Sequence, residues 1–435
     1  MSSFTEIEGK TAQPSRKDIR KSLLASGVGN LLEWYDWTIY AVASIYIASA
    51  LFDKADPTSA LLNTLAVFAV GFISRPIGGF VFGPLANKYG RKKSMVISIC
   101  LMALSSFLFA ALPTYEQVGM AAPFLLLLVR LLQGLSVGGE YGAVATYMSE
   151  LGLKGQRGFF SSFQYVTLTG GQLLASLLGV IFLGFMTEQQ LQEGGWRIPF
   201  VIGGLAAIVS LLARSRLEET LSHEESDKEE SGTLRELFKN HWKTFLLVVG
   251  YTSAGSLSFY VITVYSKTYM TKIGIDATTV GLIMTVCIFI LMVAQPFFGI
   301  LSDKISRRNS MLLFSSLMAI AIYPVMAIGM RTFSDSPVIV ALLLIFLMML
   351  LSLYTSISGI VKAEMFPPHV RALGVGFSYA VGNAVFGGSA PSVALQFKSA
   401  GIENTFFIYV IVMLVICFLC SLQLPKEAKY LKDDH

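Results

Sequence analysis

Charge is what this sequence has least of. Of its 435 residues only 14% are Asp, Glu, Lys or Arg, against about 25% in an ordinary soluble domain. Its four cysteines, Cys100, Cys287, Cys417 and Cys420, all fall in apolar runs, which excludes a disulfide framework. Cys417 and Cys420 form a C-x-x-C pair, but no histidine or acid stands near it. The pair reads as two small core or lipid-facing residues, and no metal site is expected. The four histidines, His223, His241, His369 and His435, all fall outside those runs. No imidazole is placed to carry a proton at depth, and no H-E-x-x-H pattern supports a membrane-embedded enzyme. A Walker A sequence is missing, which argues against ATP-driven work. No stretch alternates with the period-2 pattern of barrel strands. No cofactor is expected.

What is present is apolar length. Hydrophobic residues make up 54% of the chain, in runs such as "FLLLLVRLLQGLSVGG" and "VIVALLLIFLMMLLSLY". Runs of about 20 apolar residues match the hydrocarbon core of a bilayer. Twelve such spans can be drawn, at 22–51, 60–83, 94–113, 121–149, 159–186, 197–213, 244–266, 279–300, 311–330, 337–362, 373–397 and 404–424. Lipid leaves a spanning segment no partner for its backbone but itself, so all twelve should be helices. Residues 1–21 are polar and basic, with no signal-peptide cleavage pattern, so the first span is expected to be retained. Of the 33 Lys and Arg, 24 lie in the N-tail, the C-tail and the loops after even-numbered spans. The positive-inside rule then puts both termini in the cytoplasm. The net charge of +5 reports this topology and gives no reason to expect nucleic acid.

The chain divides at "RSRLEETLSHEESDKEESGTLRELFKNHWK", residues 214–243. The expected order is a tail at 1–21, a six-helix bundle at 22–213, this charged linker, a second bundle at 244–424 and a tail at 425–435. The halves echo each other. "GPLANKYGRKK" from Gly83 returns as "GILSDKISRRN" from Gly299, an offset of 216 residues, and Glu150 and Arg157 return as Glu364 and Arg371, an offset of 214. Two features at nearly one offset indicate duplication. Parallel repeats of this kind place a substrate between the halves near the midplane. Gly83 and Gly90 permit tight turns against a neighbouring helix. Arg91 and Arg307 recur in both halves and are expected to latch one transport state by pairing with acids at helix ends, as Arg157 with Glu150. Lys92 and Lys93 either join them or hold topology alone.

These motifs carry a resemblance. The Gly83–Lys93 loop is similar to the hallmark loop of the major facilitator superfamily, and "RLLQG" from Arg130 to its second motif. "EWYDW", "ISRPIGGFVFG", "QGLSVGGEYGAVATYMSE" and "WRIPF" resemble its metabolite:proton symporter branch. Within that branch, "FQYVTLTGGQLLA" and "YTSISGIVKAEMFPPHVRALGVGFSYAVGNAVFGGSA" look like the α-ketoglutarate permeases. The likeness covers essentially all twelve spans. It implies the major facilitator fold, two pseudo-symmetric six-helix bundles in a bacterial inner membrane. The pattern departs at Asn87, where the family has an acid that the second copy keeps as Asp303. It departs again at Ser306, where the family has glycine.

A charge within a span costs at least about 2.5–3.5 kcal/mol and usually faces a cavity or partner. At about 1.5 Å per residue, Glu33, Asp36, Arg75 and Arg130 fall in the middle third of the bilayer. Glu33 and Asp36 share one helix face, extended by Asn30 and Tyr40. An arginine can grip a carboxylate bidentately, so Arg75 and Arg130 are the expected substrate clamp. Burial raises a carboxyl pKa and a nearby arginine lowers it, which suits Asp36, supported by Glu33, to carry the proton. Glu140 either joins them or packs helices. Tyr40, Gln164, Tyr165, Gln172, Tyr251, Tyr379 and Asn383 are the polar candidates for the cavity. Lys362 is expected to snorkel to the interface. The gating set is Gly83, Asn87, Gly90, Arg91, Glu150, Arg157, Asp303, Arg307, Glu364 and Arg371.

The expected function is proton-coupled import of a small organic anion by a monomer, by alternating access. The resemblance implies a dicarboxylate, α-ketoglutarate first. Citrate, shikimate or an osmolyte is the alternative within the branch, though an osmosensor would be expected to carry a long C-terminal coiled coil. A passive channel is the alternative outside it.

Overall fold

The structure is a computed structural model, and it describes residues 16–53, 57–221 and 231–431. Most of the N-tail, Lys54, the linker segment 222–230 with His223, and the last four residues with His435 lie outside the described residues. Every long element among the described residues is a helix. Twelve helical spans stand where apolar length requires them. Span one is Arg16–Val42, continued by Ser44–Leu51. Spans two to six are Pro57–Tyr89, Arg91–Ala110, Ala121–Leu151, Arg157–Phe185 and Ile198–Arg214.

In the second half, span seven is Trp242–Tyr260, widened by a π-type turn at Val261–Tyr265 and finished by Ser266–Lys272. Spans eight and nine are Ala277–Ile305 and Arg307–Tyr323. Span ten is Pro337–Thr355 with Ser358–Ala363. Span eleven is Pro368–Gly382, a π-type turn at Asn383–Gly387 and Ala390–Ser399. Span twelve is Glu403–Leu422. Among the described residues, nine helices are long and apolar enough to cross a membrane by composition alone. Spans one, two and eleven do not qualify. Span one carries Glu33 and Asp36, span two is partly outside the described side chains, and span eleven is broken and glycine-rich.

Polarity is distributed inside-out. Phe185, Ile320 and Val338 are largely exposed, while Arg75, Arg91, Arg130, Arg214 and Lys362 are fully buried. Exposed apolar surface on this scale suits contact with lipid, and the buried charges mark an interior built for polar traffic. The halves meet along two seams, span two with eleven and span five with eight. Glycine makes a seam possible where helix four also meets eleven. A Cβ on Gly142 would stand 2.7 Å from the Ala372 carbonyl oxygen and from the Gly376 Cα. The two copies of the repeated loop share one backbone demand. Gly90 has φ 105°, and its counterpart Ser306 adopts φ 78°. A side chain in that region costs about 1–3 kcal/mol, a strain the first copy avoids.

Candidate functional site

The centre of the first half is an aromatic platform with two guanidiniums on it. Arg75 Cζ lies 4.1 Å from the Trp37 ring centroid and 4.3 Å from that of Phe72. Arg130 Cζ lies 4.1 Å from Trp37 and 4.2 Å from Tyr40. The two guanidinium carbons are therefore no more than about 8 Å apart. Aromatic faces attract cations by about 2 kcal/mol when desolvated, and they do so without using up N–H donors. Arg75 is fully buried. Its printed hydrogen bond is a long one, 3.5 Å from Nη1 to the Tyr260 hydroxyl across the seam. Its Nε and Nη2 have no hydrogen-bond partner among the described residues.

The acids on span one do not sit alike. Asp36 accepts from Ser106 Oγ at 2.8 Å and from Gln133 Nε2 at 2.5 Å. Gln133 Oε1 in turn accepts from Arg130 Nη1 at 2.8 Å. One amide thus bridges acid and arginine; Gln133 lay within the quoted "RLLQG" without being singled out, and Ser106 carried no signal in the sequence. Glu33 is buried with Oε1 unpartnered among the described residues. Its charged neighbours are Glu140, Arg214, Arg75 and Asp36. Of the two readings left open for Glu140, helix packing has a visible basis, although Glu140 also neighbours Glu33. It forms a wholly buried ion pair with Arg214, and Ser98 Oγ donates to its Oε2 at 2.9 Å. Arg214 also donates to the carbonyls of Ser26 at 3.0 Å and Met95 at 3.1 Å. Read from sequence it opens the linker. In the structure it ends span six and turns inward, tying spans one, three, four and six together.

Lys362 corrects a second expectation. It does not snorkel, and its side chain is fully buried. Nζ donates to Ser358 Oγ at 2.5 Å, the Ser358 carbonyl at 2.7 Å and the Tyr141 hydroxyl at 3.2 Å. No carboxylate pairs with it among the described residues. Three tyrosine rings, Tyr141, Tyr354 and Tyr379, surround it with centroids 5.4–5.5 Å away. Tyr141 of the first half stacks on Tyr379 of the second at 3.3 Å, and Tyr379 has Arg75 and Glu33 among its charged neighbours. The second half therefore does bring a deep cation to the seam. The break between Thr355 and Ser358 lets the last turn of span ten point Lys362 inward.

The other polar candidates divide. Gln164 (both amide atoms), Gln172 Oε1 and Asn383 Nδ2 are buried polar atoms without partners among the described residues. Asn383 lies in the first residue of the π-type turn. Tyr165 is buried against Phe259 across the seam. Tyr40 has its hydroxyl committed to the Thr64 carbonyl at 2.8 Å and offers its ring to Arg130. Tyr251 faces the Val361 carbonyl at 3.5 Å with Cys417 and Cys420 as neighbours, so it packs between spans ten and twelve.

The gating residues gather at the end carrying the basic loops. Glu150 Oε1 pairs with Arg91 at 3.2 Å and with Arg371 at 2.7 Å. Arg91 also donates to the Pro368 carbonyl at 2.8 Å. One acid of the first half thus holds arginines of both. The partner expected for Glu150 from its spacing was Arg157, which opens span five and donates to the Leu431 carbonyl of the C-tail. In the second copy Arg307 pairs with Asp303 at 2.8 Å and Glu364 at 3.5 Å. Asp303 caps span five across the seam, accepting from the N–H groups of Gly158 at 2.8 Å and Phe159 at 3.0 Å. Asn87 performs the same task without charge, its Oδ1 accepting from Ala372 N at 3.1 Å. Gly83 packs on Leu373. The basic end of the molecule is closed.

A twelve-span helical duplication with a buried polar centre and a latched end is a transporter fold. The "Sugar (and other) transporter" family matches residues 22–223, and the "Major Facilitator Superfamily" matches residues 247–434. The chain belongs to the major facilitator superfamily. It is 48% identical over 429 residues to the alpha-ketoglutarate permease of Escherichia coli K12, covering 98% of each chain. It is 30% identical to the glycine betaine/proline/ectoine/pipecolic acid transporter OusA of Dickeya dadantii, over 94% of this chain and 84% of that one. Among solved structures, the proton:xylose symporter XylE bound to 6-bromo-6-deoxy-D-glucose superposes with a TM-score of 0.78 at 17% identity. The match covers 95% of this chain and 97% of that one.

Proposed function

We propose that this chain imports α-ketoglutarate with protons across a bacterial inner membrane, as a monomer with both termini and the closed basic end in the cytoplasm. One observation carries the reading. Arg75 is a buried guanidinium with two nitrogens that have no hydrogen-bond partner among the described residues, within about 8 Å of a second guanidinium on a shared tryptophan. An unpaired buried charge is costly, and a five-carbon dicarboxylate bridging Arg75 and Arg130 removes that cost. The name of the relative that is 48% identical specifies the same substrate. Zwitterionic osmolytes, named for the relative at 30% identity, bring one carboxylate and a cation, a poor match to two arginines and a lysine.

The coupling follows from the Asp36–Gln133–Arg130 bridge. A proton on Asp36 removes the negative charge that Arg130 feels through Gln133, so Arg130 binds the anion more tightly. By linkage the bound anion favours the protonated acid equally. Lys362, at the seam, draws the second half onto the substrate. Release to the cytoplasm requires the Glu150–Arg371 and Arg91–Pro368 contacts to span eleven to part, and the anion's departure lets Asp36 give up its proton. Uptake of labelled α-ketoglutarate into proteoliposomes tests this. Accumulation driven by an inward proton gradient and abolished by its collapse is the expected result. Uptake of betaine in preference to the dicarboxylate, or uptake indifferent to the gradient, refutes it.

A further inference from the structure

At the basic end, away from the central site, the linker resumes as the short helix Leu234–Asn240. Its Glu236 is buried and meets histidines from two other elements. Oε1 lies 3.3 Å from His241 Nε2, on the residue before span seven, and 3.7 Å from His369 Nε2, in the first turn of span eleven. One donor atom from each of the three lies within 4.8 Å of the others. Asn240 Nδ2 holds Glu236 Oε2 at 2.6 Å, which fixes the carboxylate. The two imidazoles are 14% and 16% exposed, so the cluster is both held and reachable from the aqueous side.

We propose that Glu236, His241 and His369 form a binding site for a divalent transition-metal ion of the Zn²⁺ class. Zinc takes imidazole and carboxylate donors at about 2.0–2.2 Å, so tetrahedral donors stand about 3.4 Å apart. The two measured spacings bracket that value. Two nitrogens and one oxygen leave a fourth position for water, a set that suits zinc and its neighbours in the transition series. Magnesium and calcium want six or more oxygens and are not served here. Among the described residues the charged neighbours of His241 are Glu236, His369 and Lys429 of the C-tail, and the lysine opposes a cation.

The ion would act on the gate. Gly232 N donates to the His369 carbonyl at 2.8 Å, and Ser231 Oγ donates to the Asn87 carbonyl at 2.9 Å. The linker therefore touches both halves beside the seam of spans two and eleven. Fixing its helix to spans seven and eleven braces the closed end, so the ion slows turnover. This second step rests on the transport reading above; the binding step does not.

The test uses tag-free purified protein and Zn²⁺ in competition with a fluorescent chelator. The parent should bind one ion per chain. Affinity should fall about tenfold or more in His369→Ala and in the size-matched His241→Gln, with size-exclusion profiles unchanged. Absence of a saturable single site in the parent, or parental affinity in the double variant His241→Gln/His369→Ala, overturns the site. In proteoliposomes, Zn²⁺ on the basic side should slow α-ketoglutarate uptake by the parent and spare the double variant. Binding without that inhibition keeps the site and overturns the brace. Failure of the untreated parent to take up α-ketoglutarate refutes the transport reading and leaves the binding result standing.

Discussion

Replacing Arg75 by lysine separates a ligand-binding cation from a structural one. Among the described residues Arg75 makes one long hydrogen bond, 3.5 Å to Tyr260, and rests on Trp37 and Phe72. Lysine keeps the charge over the rings but loses the planar fork. Stacking on an aromatic face is worth about 2 kcal/mol or more when desolvated, and an ammonium over the same rings retains most of it. Stability without substrate should therefore fall by about 1 kcal/mol or less, a shift of a few degrees in Tm for a chain this long. A hydrogen bond to a charged group contributes about 1.5–3 kcal/mol. Losing one from the substrate carboxylate should raise Kd about 10- to 150-fold. Calorimetric titration of purified variants with α-ketoglutarate, paired with thermal unfolding of the same samples, measures both quantities. A parental Kd in Arg75→Lys refutes the reasoning. So does a loss of apo stability as large as the loss of binding energy, because Arg75 would then be a structural residue.

The Glu140–Arg214 pair should behave in the opposite way. Glu140→Gln leaves a buried guanidinium uncompensated, so unfolding stability should drop by about 3–5 kcal/mol, read from thermal unfolding; a drop under about 1 kcal/mol would show that the pair is solvated. Glu150→Gln removes the carboxylate shared by Arg91 and Arg371. A cysteine introduced at the buried Ala145 should then label several-fold faster from the basic side, and an unchanged rate would remove Glu150 from the latch. Asp36→Asn should bind and exchange α-ketoglutarate yet lose gradient-driven accumulation, while Glu33→Gln should show a milder defect; accumulation at the parental level by Asp36→Asn would move the proton elsewhere, Glu33 first.

The twelve segments were legible because insertion in lipid depends on apolar length, a property of each run by itself. The loop echo at Gly83 and Gly299 gave the duplication for the same reason. The depth of Arg75, Arg130, Glu33 and Asp36 also came from counting along a helix. Partners did not. Helical period puts Glu33 and Asp36 on one face, but which neighbour meets that face is decided by packing between distant spans. Hence Gln133 and Ser106 around Asp36 were invisible, as was Arg214 against Glu140. Lys362 was misread because snorkelling assumes a continuous helix, and span ten breaks at Thr355. Trp37 sat inside the quoted "EWYDW", yet nothing in a sequence says that two arginines will choose one ring. At Asn87, where the family has an acid, the side-chain oxygen keeps one backbone hydrogen bond, from Ala372, of the two that Asp303 accepts.

That substitution gives the closed end a direction. Asp303 offers a carboxylate to two backbone N–H groups at the start of span five, while Asn87 offers one neutral oxygen to span eleven. A negative charge at a helix N-terminus is worth about 0.3–1 kcal/mol that an amide does not supply. By capping alone the seam of spans two and eleven is the cheaper one to part and that of spans five and eight the natural pivot, with the Glu150–Arg371 pair left to hold the first closed. Opening becomes a swing on one edge rather than an even spreading of two halves.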